Sequence, residues 1–269
     1  MADEHATSPP DTSPRRYGPI TVAGRTLHRP AVVVLFALVV AVVGLVVSQA
    51  IPLAVFRGLA TVGVSLPQRS ALTLQLVLTE LVGFGGMAWL YLRVRGLPRS
   101  YVHLRWPTGR DVVWMVGGTV LALVLYFGVV TVAVAAGVPM ARSVISQYGQ
   151  SDPGGLLVVA VLSLVLVGPM EELFFRGVVQ ETMREALPAN VAVPLASAVF
   201  ALVHLLTLTG PLLGQTVLVG SLFVTALVLG YAYERTGNLA VNAAIHGGYN
   251  AVLLVLAYLV FASGMAPTG

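Results

Sequence analysis

Cysteine and lysine are both missing from the 269 residues, and charged side chains account for only 10% of them. Without cysteine there is no disulfide, no thiolate nucleophile and no sulfur ligand for a metal, so any chemistry rests on carboxylates, imidazoles and hydroxyls. Ordinary soluble domains carry roughly 25% charged residues. The shortage here, with 57% hydrophobic residues and a mean hydropathy of +0.88, excludes a soluble globular core. All fifteen basic residues are arginine and the net charge is +4. Because they flank apolar runs instead of clustering on one face, a nucleic-acid partner is excluded as well.

What the chain does have is long apolar runs, at about 31–51, 71–94, 110–136, 155–186, 191–207, 215–234 and 239–262. Each approaches the ~20 residues a helix needs to cross ~30 Å of hydrocarbon. The expected fold is all-α: a polytopic transmembrane bundle of about seven helices over 31–262, followed by a short tail at 263–269. Breakers separate the runs, among them Pro52 and Pro67, Gly96 with Pro98, Asp152-Pro153-Gly154, Pro188, Gly210-Pro211 and Gly237-Asn238. Residues 1–30, rich in Pro, Ser, Thr and charge, read as a disordered tail. A signal peptide cleaved near Ser48-Gln49-Ala50 fits less well, since the tail is long and partly acidic. Only Arg57, Arg69 and Arg142 fall in the set of loops opposite the tail. The positive-inside rule therefore puts the N-terminus in the cytoplasm, the C-terminus outside, and the protein in the cell membrane as a multi-pass bundle.

Inside the fourth run, the stretch VGPMEELFFRG places Glu171, Glu172 and Arg176 at the end of apolar sequence. Glu172 and Arg176, four residues apart with the acid first, have the favourable order for a helical ion pair. Glu171 points about 100° away and lacks such a partner. One carboxylate is neutralised and the other is left over. The bland reading is interfacial decoration where a helix leaves the membrane, as the neighbouring Glu181, Arg184 and Glu185 read as a solvated face. Two histidines weigh against it. His204 and His246 both lie inside apolar runs, where an ionisable side chain is costly and faces the bundle interior. Phe200 precedes His204 by four residues and Asn250 follows His246 by four, each on the same helix face as its histidine. Small residues at Ala243, Ala244, Gly247 and Gly248 permit close helix approach around His246.

The ordered set EExxxR (Glu171, Glu172, Arg176), FxxxH (Phe200, His204) and HxxxN (His246, Asn250), over about residues 155–255, resembles the CPBP intramembrane proteases. That family includes CAAX prenyl endopeptidases and Abi-type bacteriocin-processing or immunity proteins. The resemblance implies an endopeptidase acting on a membrane-anchored protein or peptide, prenylated in the CAAX branch, within the lipid bilayer. It implies Glu171 as the activator of water, His204 and His246 at the reaction centre, and Asn250 at the developing oxyanion. Glu172, Arg176 and Phe200 would support them. The eukaryotic CAAX proteases are usually drawn with eight helices, one more than is read here.

Other intramembrane protease chemistries lack their residues: there is no HExxH, and Asp3, Asp11, Asp111 and Asp152 all sit in the tail or at helix boundaries. Two versions of the Glu/His mechanism remain open. In one, Glu171, His204 and His246 hold Zn2+ with an open water position. In the other, Glu171 is itself the general base and no metal takes part. Glu172, committed to Arg176, suits neither as base. Counting along the helices puts the site in the cytoplasmic half of the membrane. Glu80, the remaining intramembrane acid, reads as a bundle-facing hydrogen-bonding group. The rival classes are a non-catalytic scaffold or immunity protein and a proton-coupled transporter.

Overall fold

The computed structural model describes residues 30–264, together with Ser13 and two short strands, β1 (Ile20–Val22) and β2 (Arg25–Leu27). The strands pair antiparallel, Ile20 opposite Leu27 and Val22 opposite Arg25. Part of the tail expected to be disordered is therefore paired strand, its segments ITV and RTL contributing the β-branched Ile20, Thr21, Val22 and Thr26. The rest of the tail and residues 265–269 lie outside the described residues.

Among the described residues seven helices are long and apolar enough to cross a membrane: α1 (Pro30–Thr61), α2 (Gln68–Arg95), α3 (Gly109–Ala135), α5 (Pro153–Arg184), α6 (Ala189–Thr207), α7 (Leu212–Thr236) and α8 (Leu239–Ala262). A short helix α4 (Val144–Ser151) precedes α5, and a two-residue ladder of β3 (Arg142–Ser143) with β4 (Leu208–Thr209) ties the start of α4 to the end of α6. The all-α bundle expected from the apolar runs is what forms. Its boundaries differ most at α1, which continues through Pro52 for ten residues past the expected end. Pro52 removes one helical hydrogen bond, but unwinding there would strand further backbone groups in an apolar setting, so the helix runs on.

Local chemistry sets where the helices begin and end. Asp152 accepts from Gly155 N at 3.1 Å and Pro153 takes the first helical position, which starts α5 where the run turns apolar. Arg69 of α2 closes both guanidinium arms on Asp152 at 2.9 and 2.6 Å, holding that carboxyl below its ordinary range. Thr108 and Asp111 form a capping box at α3. Gly237, at φ 53°, ends α7 so that Asn238 can cap α8 immediately.

α8 packs along α5 and α3, α7 along α3 and α6, and α1 along the middle of α2. Three stretches are wound as wider π-helical turns: Leu78–Gly85 in α2, and Ser163–Val167 and Phe175–Gln180 in α5. The two in α5 bracket the segment Gly168–Phe174, which carries Glu171 and Glu172. Such turns re-aim the side chains around them and concentrate at functional sites.

The charges beyond Arg176 overturn one expectation. Glu181, Arg184 and Glu185 are not a solvated face: Glu181 is 0% and Arg184 1% exposed. Arg184 pairs with Glu234 of α7 at 3.2 Å, and Arg95 of α2 with Glu185 at 2.7 Å. Tyr101, in the loop after α2, donates to Glu185 at 2.6 Å, and burial above all pushes its phenol well above the ordinary value, which keeps it a donor. The sequence period showed an amphipathic end to α5; it did not show that three other segments cover it with matching charge.

Candidate active site

The site exists because two backbones touch. A Cβ added to Gly168 of α5 would stand 2.8 Å from the Ala243 carbonyl oxygen and 2.8 Å from Gly247 N of α8. One added to Gly247 would stand 2.6 Å from the Ser163 carbonyl oxygen. The small residues around His246 permit the approach they were expected to permit, and it carries His246 alongside Glu171 and Glu172.

His246 is held between both acids. Its Nδ1 lies 2.9 Å from Glu172 Oε1, and its Nε2 lies 3.8 Å from Glu171 Oε2. A carboxylate at Nδ1 is met by the N–H tautomer at that nitrogen, which turns Nε2 toward Glu171. Glu172 is fully buried and has further partners. Arg176 Nε pairs with its Oε2 at 3.3 Å, as the spacing predicted, and Asn242 Nδ2 donates to the same oxygen at 3.3 Å. Asn242 also donates to the Leu229 carbonyl of α7 at 2.7 Å, so one amide links α5, α7 and α8. Glu172 therefore orients an imidazole as well as neutralising an arginine.

Asn242 was not singled out in the sequence. A signal was present: Asn242-x-x-x-His246-x-x-x-Asn250 places an amide one turn to either side of the histidine, on one helical face. Only the partner across the interface distinguishes the two. Asn242 reaches Glu172, while Asn250, half-buried, keeps its amide uncommitted among the described residues.

α6 contributes Phe200 and His204. The Phe200 ring lies 5.5 Å from the His246 ring and 4.7 Å from that of His204, with the Arg176 guanidinium 4.7 Å over it. Counted along the helices the two histidines are separated in depth, since His204 is fifteen residues into α6 and His246 seven into α8. Phe200, one turn before His204, spans that difference. His204 Nδ1 sits 2.7 Å from the Phe200 carbonyl oxygen, an N–H to carbonyl bond that leaves Nε2 free to act.

All seven residues singled out by the sequence thus fall on α5, α6 and α8. Glu171, Glu172, Arg176, Phe200 and His246 form one connected set of pairwise contacts, His204 adjoins through Phe200, and Asn250 is one turn from His246. Glu171 Oε2 is buried and, beyond the 3.8 Å approach of His246 Nε2, receives no hydrogen bond among the described residues. There, no three histidine, aspartate or glutamate side chains are gathered closely enough to hold a metal ion. Glu171, His204 and His246 therefore do not stand as a ready zinc set in this arrangement.

Chemically, a buried carboxylate with an open oxygen, an imidazole nitrogen aimed at it, and a second imidazole beyond a shared phenyl ring suit water activation beside a polarised carbonyl. Residues 153–252 match the family model described as Type II CAAX prenyl endopeptidase Rce1-like, a span that covers α5 to α7 and the first half of α8. This agrees with the resemblance to the CPBP proteases. No curated protein and no solved structure matches the chain. An Rce1-like domain within seven apolar helices makes the chain an integral, multi-pass membrane protein, and it points to a protease of the CAAX type in general.

Proposed function

We propose that this Rce1-like domain hydrolyses a peptide bond near the prenylated C-terminus of a membrane-anchored protein, with Glu171 as general base and no metal in the reaction. The observation that supports this reading is His246 clasped between adjacent carboxylates, Nδ1 on Glu172 and Nε2 toward Glu171. Glu172 fixes the ring, and Glu171 remains free to take a proton. In the proposed step a water gives one proton to Glu171 while its oxygen bonds to the scissile carbonyl carbon. In this step His246 acts as the imidazolium, its Nε2–H and the uncommitted amide of Asn250 donating to the charge that develops on the carbonyl oxygen, while His204 Nε2 accepts the second O–H of the water and so orients it. Collapse breaks the C–N bond, and the proton held by Glu171 passes to the departing amine. Proton accounts close, and the base is regenerated.

The test is cleavage of a farnesylated CAAX peptide by purified protein in lipid vesicles, followed by release of the C-terminal tripeptide. Glu171→Gln, His204→Ala and His246→Ala are each expected to lower turnover by about 100-fold or more while the chain stays folded. Failure of the wild-type protein to cleave any membrane-anchored peptide would overturn the assignment and favour the scaffold or transporter class. A chelator is expected to leave turnover unchanged. Stoichiometric zinc that disappears in His204→Ala would overturn the metal-free version alone.

A further inference from the structure

Arg176 and Glu172 are both buried, one helical turn apart, yet they do not close on each other with the two parallel hydrogen bonds usual for an arginine and a carboxylate. Their closest approach is Nε to Oε2 at 3.3 Å. Nη2 donates to the Ala226 carbonyl of α7 at 3.2 Å, and Nη1 is buried with no hydrogen-bond partner among the described residues. The guanidinium fork is divided. Glu172 Oε1 is left to His246 Nδ1, at 2.9 Å.

Asn242 stands where that division is held. Its Nδ2 gives one hydrogen to Glu172 Oε2 at 3.3 Å and the other to the Leu229 carbonyl at 2.7 Å. Both partners are acceptors, so the amide cannot turn over: a flip would set Oδ1 against a carboxylate and a carbonyl. In the orientation it has, the residue is 0% exposed and Oδ1 has no hydrogen-bond partner among the described residues. A stranded acceptor is costly, and an apolar side chain of the same shape would avoid it, so packing does not account for an amide here. Its two hydrogens do.

We infer that Asn242 is a positioning residue for the Glu172–His246 pair: it ties Glu172 Oε2 to α7, so that Oε1 stays on His246 Nδ1 and the carboxylate does not turn both oxygens to Arg176. This rests on the protease reading of Glu171 and His246, and it gives a part to α7, which carries none of the residues singled out by the sequence. The Ala226 and Leu229 carbonyls are three residues apart on one face of that helix, and each takes one donor. Ala226 draws the arginine away from Glu172; Leu229 aims the amide at it. In the proposed hydrolysis Asn242 touches no reacting atom and exchanges no proton. Its effect passes through the imidazole, whose Nε2–H keeps its aim at the carbonyl oxygen only while Nδ1 is held.

The experiment uses the full chain in lipid vesicles with a farnesylated CAAX peptide, comparing Asn242→Leu, Asn242→Asp, Glu172→Gln and the double variant Asn242→Leu with Glu172→Gln. The Nδ1–H resonance of His246 is followed in protein carrying nitrogen-labelled histidine, assigned by its loss in His246→Ala. Leucine is close to asparagine in shape and removes the bare Oδ1 together with the two donors, so Tm is expected to move by a few degrees at most. For Asn242→Leu, kcat is expected to fall about tenfold with KM within about twofold, the signature of an interaction that matters at the chemical step. In the Glu172→Gln background the same change should cost less than about twofold, because the group it acts through is already altered. Asn242→Asp, equal in shape but with an oxygen in place of Nδ2, should cost at least as much as Asn242→Leu. The His246 resonance should broaden or lose intensity in both single variants as the ring leaves its one hydrogen-bonded position. Wild-type kcat in Asn242→Leu or Asn242→Asp, an equal loss in both backgrounds, or a joint fall of Tm and kcat with an unchanged resonance would overturn the positioning role alone. Absence of wild-type cleavage would overturn the protease reading. The resonance then decides the positioning by itself, and an unchanged signal in Asn242→Leu would overturn that too.

Discussion

Arg176 shows how much one side chain carries in a medium without water. It pairs with Glu172, donates from Nη2 to the Ala226 carbonyl at 3.2 Å and lies over Phe200. Removing one partner of a buried ion pair leaves the other charge uncompensated and costs about 3–5 kcal/mol, whereas replacing both partners approaches neutrality. Arg176→Gln is therefore expected to lower Tm and turnover together. The double variant Glu172→Gln with Arg176→Gln should regain most of the Tm. It should not regain full turnover, because a neutral amide at 172 holds the His246 ring less firmly, and a loss of about tenfold or more is expected to persist. Thermal melts and cleavage rates on the same samples check both halves. Full recovery of turnover would make Glu172 a purely electrostatic partner of Arg176.

At the scale of elements, the contact that matters is between α5 and α8, where side chains are absent. A methyl group on Gly168 meets the Ala243 carbonyl and the Gly247 amide, which are backbone atoms that cannot rotate away. Overpacking of this kind costs about 1–3 kcal/mol, and here it would also push His246 away from both acids. Gly168→Ala is thus expected to reduce Tm by several degrees and to abolish cleavage. Gly117→Ala on α3, where an added Cβ meets nothing within 4 Å, is the control. It should leave cleavage intact and shift stability by at most about 1 kcal/mol, toward stabilisation. Comparable losses in the two variants would mean that close approach is not what positions the site.

For the whole molecule, the bundle is polarised. The end formed by the loop 96–108, the α5–α6 turn and the α7–α8 turn gathers Arg95, Arg105 and Arg184 with their acids, and Arg105 closes on Asp111 at 2.7 Å while also donating to the Thr236 carbonyl at 3.0 Å. The positive-inside rule predicts that this end faces the cytoplasm, which labelling can test. The chain has no cysteine, so single substitutions report sidedness without interference. Ser100→Cys is expected to react with an impermeant maleimide only after the cytoplasmic face is opened, and Ser65→Cys, in the loop between α1 and α2, only from outside. The reverse pattern in intact cells would invert the bundle and move the site toward the other face.

Much of this protein was legible before any coordinates. Seven apolar runs separated by Gly, Pro and Asp, the cost of an imidazole inside two of them, and the four-residue spacing of Glu172 with Arg176 all follow from local rules. Hydrocarbon length, helical period and the penalty for unpaired charge act along the chain, so these features could be read along it. What tertiary structure alone decided was who meets whom across helices. Asn242 and Asn250 flank His246 with equal spacing, yet only Asn242 reaches Glu172. Glu181 and Arg184 have the pattern of a wet surface, yet Glu234 and the 96–108 loop bury them. Phe200 spans two histidines that residue counting sets apart in depth, and Glu80 reads as a hydrogen-bonding group, yet its buried Oε2 finds no hydrogen bond among the described residues. The reason is common to all four: a partner on another helix is chosen by crossing geometry and by where glycine lets backbones close, and neither has a period in the sequence.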